Sequence, residues 1–104
     1  MTYGVMQSVP LPIEAYDQLH AQVLAAQAGR PARGLLVHFA RPTEQGFQVV
    51  EVWESKSDSD EFVEQVVNPV MERFAAGSPP PPEPVVEEFE VHGLLTQLVP
   101  AERT

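Results

Sequence analysis

GLLVHFARPTEQGFQVVEVWES, residues 34–55, decides how the rest of the chain reads. Its first part, Gly34–Arg41, is a dense apolar run, too short for a globular helix and bounded by turn residues. Its second, Phe47–Glu54, is β-branched and aromatic, the composition that suits a pleated, half-buried surface. Between them, Pro42-Thr43-Glu44-Gln45-Gly46 is a connector of hairpin length ending in glycine. The two runs are predicted to pair antiparallel. With Ala40 set opposite Phe47, His38 faces Val49 and Leu36 faces Glu51. One side of the pair then carries Leu36, His38, Ala40, Phe47, Val49, Glu51 and Trp53. The other carries Leu35, Val37, Phe39, Gln48, Val50 and Val52, nearly all aliphatic. A slip of one residue scatters the first group.

On the N-terminal side, Met1–Val9 alternates and reads as a strand, with Tyr3, Val5, Gln7 and Val9 on one face and Gly4, Met6 and Ser8 on the other. Pro10-Leu11-Pro12 stops it. Ile13, Tyr16, Leu19, Val23 and Ala26 then fall at helical spacing, which predicts a helix over Ile13–Ala28, with Gly29 and Pro31 ending it. On the C-terminal side, Ser55-Lys56-Ser57-Asp58 offers caps for a second helix. Phe62, Val66, Val70 and Phe74 repeat every four residues along it, beside Val63, Val67 and Met71. Pro69 removes a backbone donor, so a kink or break is expected at Val67-Asn68, and Gly77 ends the segment. SPPPPEP, residues 78–84, reads as extended polyproline-like chain, and Val85–Leu95 as a last strand. Residues 1–95 thus form one domain and 96–104 a tail.

Strand, helix, strand, strand, helix, strand is the split βαβ order of a ferredoxin-like α+β domain, βαββαβ. Right-handed crossovers place strands one and three at the centre of a four-stranded antiparallel sheet, strands two and four at its edges, and both helices on one face. The strands are apolar on both faces, so the open face needs a partner. A second copy of the chain is the simplest one, and a homodimer is expected.

Composition excludes several classes. At 104 residues the chain is one domain that buries roughly two-thirds of its unfolded surface. Six basic against fifteen acidic residues leave a net charge of −9, which repels nucleic acid and anionic membranes. The imbalance is lopsided: residues 1–52 carry −1 and residues 53–104 carry −8. There is no cysteine, hence no disulfide, thiolate nucleophile or cysteine-held metal. No apolar run approaches the roughly 20 residues of a membrane span and no leader is read, so a cytoplasmic protein is expected.

The hairpin, the acid-rich helix with Phe62 and Pro69, and the final EFEVHGL strand together resemble the dimeric α/β-barrel superfamily. Within it, antibiotic-biosynthesis-monooxygenase-like domains are the nearest. The likeness spans about residues 2–95, and Val52-Trp53-Glu54-Ser55 before the helix is its most specific piece. It implies a sheet-to-sheet dimer and a pocket between sheet and helices. The superfamily holds cofactor-free oxygenases of quinol-type substrates, haem-degrading oxygenases, isomerases, peroxidases and members with no known activity. This chain departs from the haem degraders: Glu61–Phe74 contains no histidine and Tyr3–Val9 no asparagine.

Among the residues themselves, His38 and Glu51 in an apolar, aromatic setting are the raw material of a general base. Trp53 and Phe47 are candidate walls for a planar ring, and Tyr16 and His20, one helical turn apart, candidate substrate contacts. Glu51 has an alternative, pairing with Arg33 or Arg41 across a dimer interface. His92 sits on the last strand, about 14 Å across the sheet from His38 at ordinary strand spacing, so no metal and no cofactor is expected. Phosphate-cradling and nucleophile-elbow motifs are missing. Two readings follow: a dimeric module binding a small apolar or aromatic molecule, or a cofactor-independent monooxygenase or isomerase of aromatic or polyketide-like substrates.

Overall fold

The computed structural model describes residues 2–77 and 82–95. Its elements, in order, are β1 (Tyr3–Val9), α1 (Ile13–Gln27), β2 (Leu35–Thr43), β3 (Gly46–Trp53), α2 (Lys56–Phe62), a π turn (Val63–Val67), α3 (Asn68–Ala75) and β4 (Val85–Glu90). The sheet is antiparallel, with strand order β2-β3-β1-β4. This is the ferredoxin-like arrangement expected from the sequence. Met1, Ser78–Pro81 and the tail from residue 96 lie outside the described residues.

Both helical segments lie on one face. Tyr16 of α1 meets Phe47 of β3 edge-on at 5.7 Å, and Phe62 of α2 meets Trp53 at 5.6 Å. The apolar stripe of α1 (Ile13, Tyr16, Leu19, Val23, Ala26) is half-buried, while Glu14, Asp17, Gln18 and Gln22 are exposed. The core sits between these helices and the middle of the sheet, where Val5, Phe47, Trp53 and Val70 are buried. The other sheet face is bare of helices. Phe39 and Val85 on it are 47% and 73% exposed, and β4 is exposed along its whole length.

Three boundaries differ from the sequence expectation. Helix α1 stops one residue early: Ala28 takes the left-handed cap position and donates its N–H to Ala25, and Gly29 follows it with a positive φ of its own. The final strand ends at Glu90 instead of Leu95, which leaves His92 beyond it. Pro69 does not break the second helix. The helix widens into a π turn, Asn68 N–H reaches back to the Val63 carbonyl, and Pro69 falls at the start of α3. A proline ring strikes the carbonyl four residues earlier and offers no donor; a wider turn absorbs both defects.

The hairpin is also tighter than expected. Thr43 pairs with Gly46, leaving a loop of only Glu44-Gln45. Every pair therefore shifts by two residues: Ala40 meets Val49 and His38 meets Glu51. Because the shift is even, His38, Ala40, Phe47, Val49, Glu51 and Trp53 keep their common face. Leu36 does not join them. It is the extra residue of a β-bulge between Leu35 and Val37, and Leu35 takes the position opposite Trp53.

Gly46 is held where the hairpin passes the end of β1. A Cβ there would collide with the Val9 carbonyl oxygen and stand 2.9 Å from the Leu11 backbone. Backbone cannot step aside as a side chain can, so Gly46→Ala should cost about 2 kcal/mol or more. Urea unfolding of the variant checks this, with a midpoint near that of the unaltered protein as the contrary result.

Candidate functional site

β2 and β3 place His38 directly opposite Glu51 on the helix-covered face. Two residues on, the same side of β3 presents Trp53. Above them α1 presents Tyr16 and His20, which share a face because they are four residues apart. These five side chains, drawn from three elements, form one hydrogen-bonded and stacked cluster.

The connections run in a line. Trp53 Nε1–H donates to Glu51 Oε1 at 3.1 Å. Glu51 Oε2 lies 2.7 Å from His38 Nδ1, and His38 Nε2 lies 2.6 Å from the Tyr16 hydroxyl. A carboxylate only accepts, so the proton of a neutral His38 ring belongs on Nδ1. That leaves Nε2 as the acceptor for the Tyr16 O–H. His20 stacks on this line, its ring 5.3 Å from His38 and 5.1 Å from Tyr16, nearly parallel to both. The His38 and Glu51 side chains retain 24% and 18% of their surface.

Burial pushes the Tyr16 phenol above its usual range, and the nearby Glu51 and Asp17 carboxylates add to this. The Tyr16 O–H therefore persists as a donor through neutral pH. Burial also lowers His20, with His38 beside it acting the same way and Asp17 partly opposing. The site's arrangement is that of an oriented imidazole carrying a phenol: a carboxylate fixes one ring nitrogen and the other is aimed at an exchangeable proton.

The sequence-predicted residues divide as follows. His38, Glu51, Tyr16, His20 and Trp53 converge; Phe47 touches Tyr16 from the core side. Trp53 and Phe47, considered as walls for a planar ring, are only 0% and 3% exposed and are part of the packed interior. Within the chain Glu51 is committed to His38 and Trp53, and Arg41 donates to Gln48 instead. The direct bond from Tyr16 to His38 was missed by sequence reasoning. Its one visible signal was the Tyr16–His20 pair on the apolar stripe of α1. Among the described residues no group of three or more His, Asp or Glu side chains is placed to hold a metal. No helix among them is long and apolar enough to cross a membrane. A cleft of about 250 Å³ lies between Arg30, Arg33, Asp58 and Gln65, and another of about 460 Å³ lies beside Arg41, Gln48 and Glu83. Neither is lined by His38 or Glu51.

No protein-family model matches the chain, and no curated protein matches it in sequence. Solved structures do match in fold. A protein from Chloroflexus aurantiacus assigned as an antibiotic biosynthesis monooxygenase superposes with a TM-score of 0.64 at 19% identity, covering 92% of this chain and 98% of its own. The heme-degrader MhuD from Mycobacterium tuberculosis gives 0.55 at 21% identity, covering 90% and 99%. SnoaB, a cofactor-independent oxygenase from Streptomyces nogalater, gives 0.57 at 15% identity, covering 92% and 96%. The chain has the ferredoxin-like fold of the antibiotic biosynthesis monooxygenase proteins.

The lowered His20 has a consequence for stability. As pH falls below the ordinary histidine value of 6.5, the unfolded chain takes up this proton before the folded one does. The contribution is intact above about 6.5 and is lost as the pH drops from there through the folded value. Urea midpoints measured at neutral pH and about one unit below the histidine range should therefore differ less in His20→Gln than in the unaltered protein. Equal slopes in the two proteins would contradict this.

Proposed function

We propose that this chain is a small-molecule enzyme that removes a proton from a planar, acidic hydroxyl or dicarbonyl compound without a cofactor. The observation that carries the reading is the line of short hydrogen bonds from Glu51 through His38 to Tyr16. In the proposed step the substrate O–H gives its proton to the Tyr16 oxygen as the Tyr16 O–H passes its own to His38 Nε2. The imidazolium so formed keeps its Nδ1–H on the Glu51 carboxylate, which stabilises the new charge. The substrate is left as a phenolate or enolate. If the proton returns to a carbon of that anion, the reaction is an isomerisation; if the anion reacts with dioxygen as co-substrate, it is an oxygenation. His20 and Tyr16 supply ring faces for the substrate.

The SnoaB likeness supports cofactor-independent oxygenation as one form of this chemistry. Heme degradation is not favoured, since Glu61–Phe74 offers no histidine to iron. The reading of a non-catalytic module for a small aromatic ligand rests on a different observation, that the clefts of about 250, 400 and 460 Å³ are all lined by residues other than His38. The open sheet face, with Val37, Phe39, Val50 and Phe89, is proposed as the contact of a homodimer, and a cytoplasmic location is proposed with it, supported by the cysteine-free composition.

Two measurements test this. Solvent-deuterium exchange into a panel of naphthols, anthrones and 1,3-dicarbonyl compounds should be accelerated by the protein. His38→Ala should lower that acceleration by roughly 10²–10⁴-fold, the usual contribution of a positioned base. Exchange that is the same with both proteins rejects the catalytic reading. Light scattering should return twice 11.5 kDa, and Phe39→Asp should return the monomer. A monomeric unaltered protein rejects the dimer.

A further inference from the structure

Trp53 is the single tryptophan of the chain, and it has no exposed surface. A buried indole N–H must find an acceptor, because leaving it unpaired costs the full desolvation of the group. Here the acceptor is one oxygen of Glu51, Oε1, at 3.1 Å. The indole is held on its other side by Phe62 at 5.6 Å, so it is anchored by the join between β3 and α2. The terminal torsion of a glutamate is otherwise broad and would let the carboxylate turn.

We infer that Trp53 is a positioning residue that fixes the rotation of the Glu51 head group, so that one chosen atom of it is held against His38 Nδ1. With Oε1 taken by the indole, only Oε2 faces His38, at 2.7 Å from Nδ1. Facing an atom that only accepts, the ring places its proton on Nδ1, and Nε2 is left with its lone pair toward Tyr16 at 2.6 Å. The carboxylate, which only accepts, gives the line of hydrogen bonds its direction, and Trp53 fixes which of its oxygens takes part. The same commitment removes its N–H from the set of groups available to a substrate. This inference rests on the reading of His38 as the base, but its geometry is a property of the protein without ligand.

The substitution that isolates the effect is Glu51→Gln. A carboxylamide has one accepting oxygen and one donating nitrogen. If the indole holds the oxygen, the amide NH₂ is turned toward His38, which can then meet it only with a lone pair on Nδ1. The proton must move to Nε2. Removing the indole donor with Trp53→Phe in the Glu51→Gln background frees the amide to rotate and restores the Nδ1–H form.

Imidazole ¹⁵N NMR of the uniformly labelled protein at about pH 8, where histidine is ordinarily neutral, reads the tautomer directly. The unaltered protein should show His38 mainly as Nδ1–H. Glu51→Gln should swing the ratio toward Nε2–H by about tenfold or more, the scale set by leaving a donor facing a donor. The double variant should swing it back. Nδ1–H persisting in Glu51→Gln would overturn the inference, and that single variant decides the matter even where the double variant does not fold. A reversal of the tautomer together with no accelerated deuterium exchange into any compound of the panel would leave the positioning role standing and remove the enzymatic reading.

Discussion

The register of β2 on β3 is the constraint on which the remainder depends. A two-residue turn at Glu44-Gln45 sets Thr43 against Gly46, and from that pair outward every opposition is determined. His38 meets Glu51 because of it, and the register holds as far as the bulge that sets Leu36 aside. A sheet of period two allows only two assignments of side chains to faces. One of them gathers an imidazole, a carboxylate and an indole under α1; the other would turn all three outward and bring Val37, Phe39 and Val50 into the core. The apolar character of both alternatives means that hydrophobicity alone does not choose between them. The turn does.

The helices add a second asymmetry. They cover one face of the sheet, and their own strongly acidic segment lies toward solvent, with Lys56 paired to Asp60 and Ser55 accepting from the Asp58 N–H at the start of α2. The uncovered face is apolar with a polar margin, where Arg41 donates to Gln48 and Gln48 to Ser8. Gly4 leaves room on that face for the Phe89 ring, which a Cβ would strike. A single ring from an exposed edge strand cannot shelter the whole surface. The fold therefore makes its two faces unlike: a line of hydrogen-bonded polar side chains under the helices and an open apolar surface on the bare side.

Much of this was legible in the sequence, for physical reasons that can be named. The helical stripe from Ile13 to Ala26 and the hairpin runs are strong periodic signals, and the strand order follows from right-handed crossovers. The grouping of His38, Glu51 and Trp53 survived a wrong register because the error was even. What did not show was anything that depends on distance between elements. The closeness of Tyr16 to His38 comes from how low α1 lies on the sheet, which the spacing within α1 does not encode. The widening around Pro69 was hidden for another reason: a proline forbids one hydrogen-bond pattern without saying which substitute the helix adopts. Trp53 looked like a wall because aromatic side chains often are; that its N–H is spent on Glu51 is a matter of a few ångströms.

The burial of Trp53 also gives the protein an internal lamp. It is the only indole in the chain, it sits against the half-buried ring of Phe62, and its N–H rests on the carboxylate that orients His38. Its emission colour is governed by the water around it, and its brightness by the charge at its N–H. One fluorescence trace thus carries two separable signals. A red shift reports that the hydrophobic interior has opened, whereas a change of intensity at constant colour reports a change at the carboxylate that the indole N–H touches.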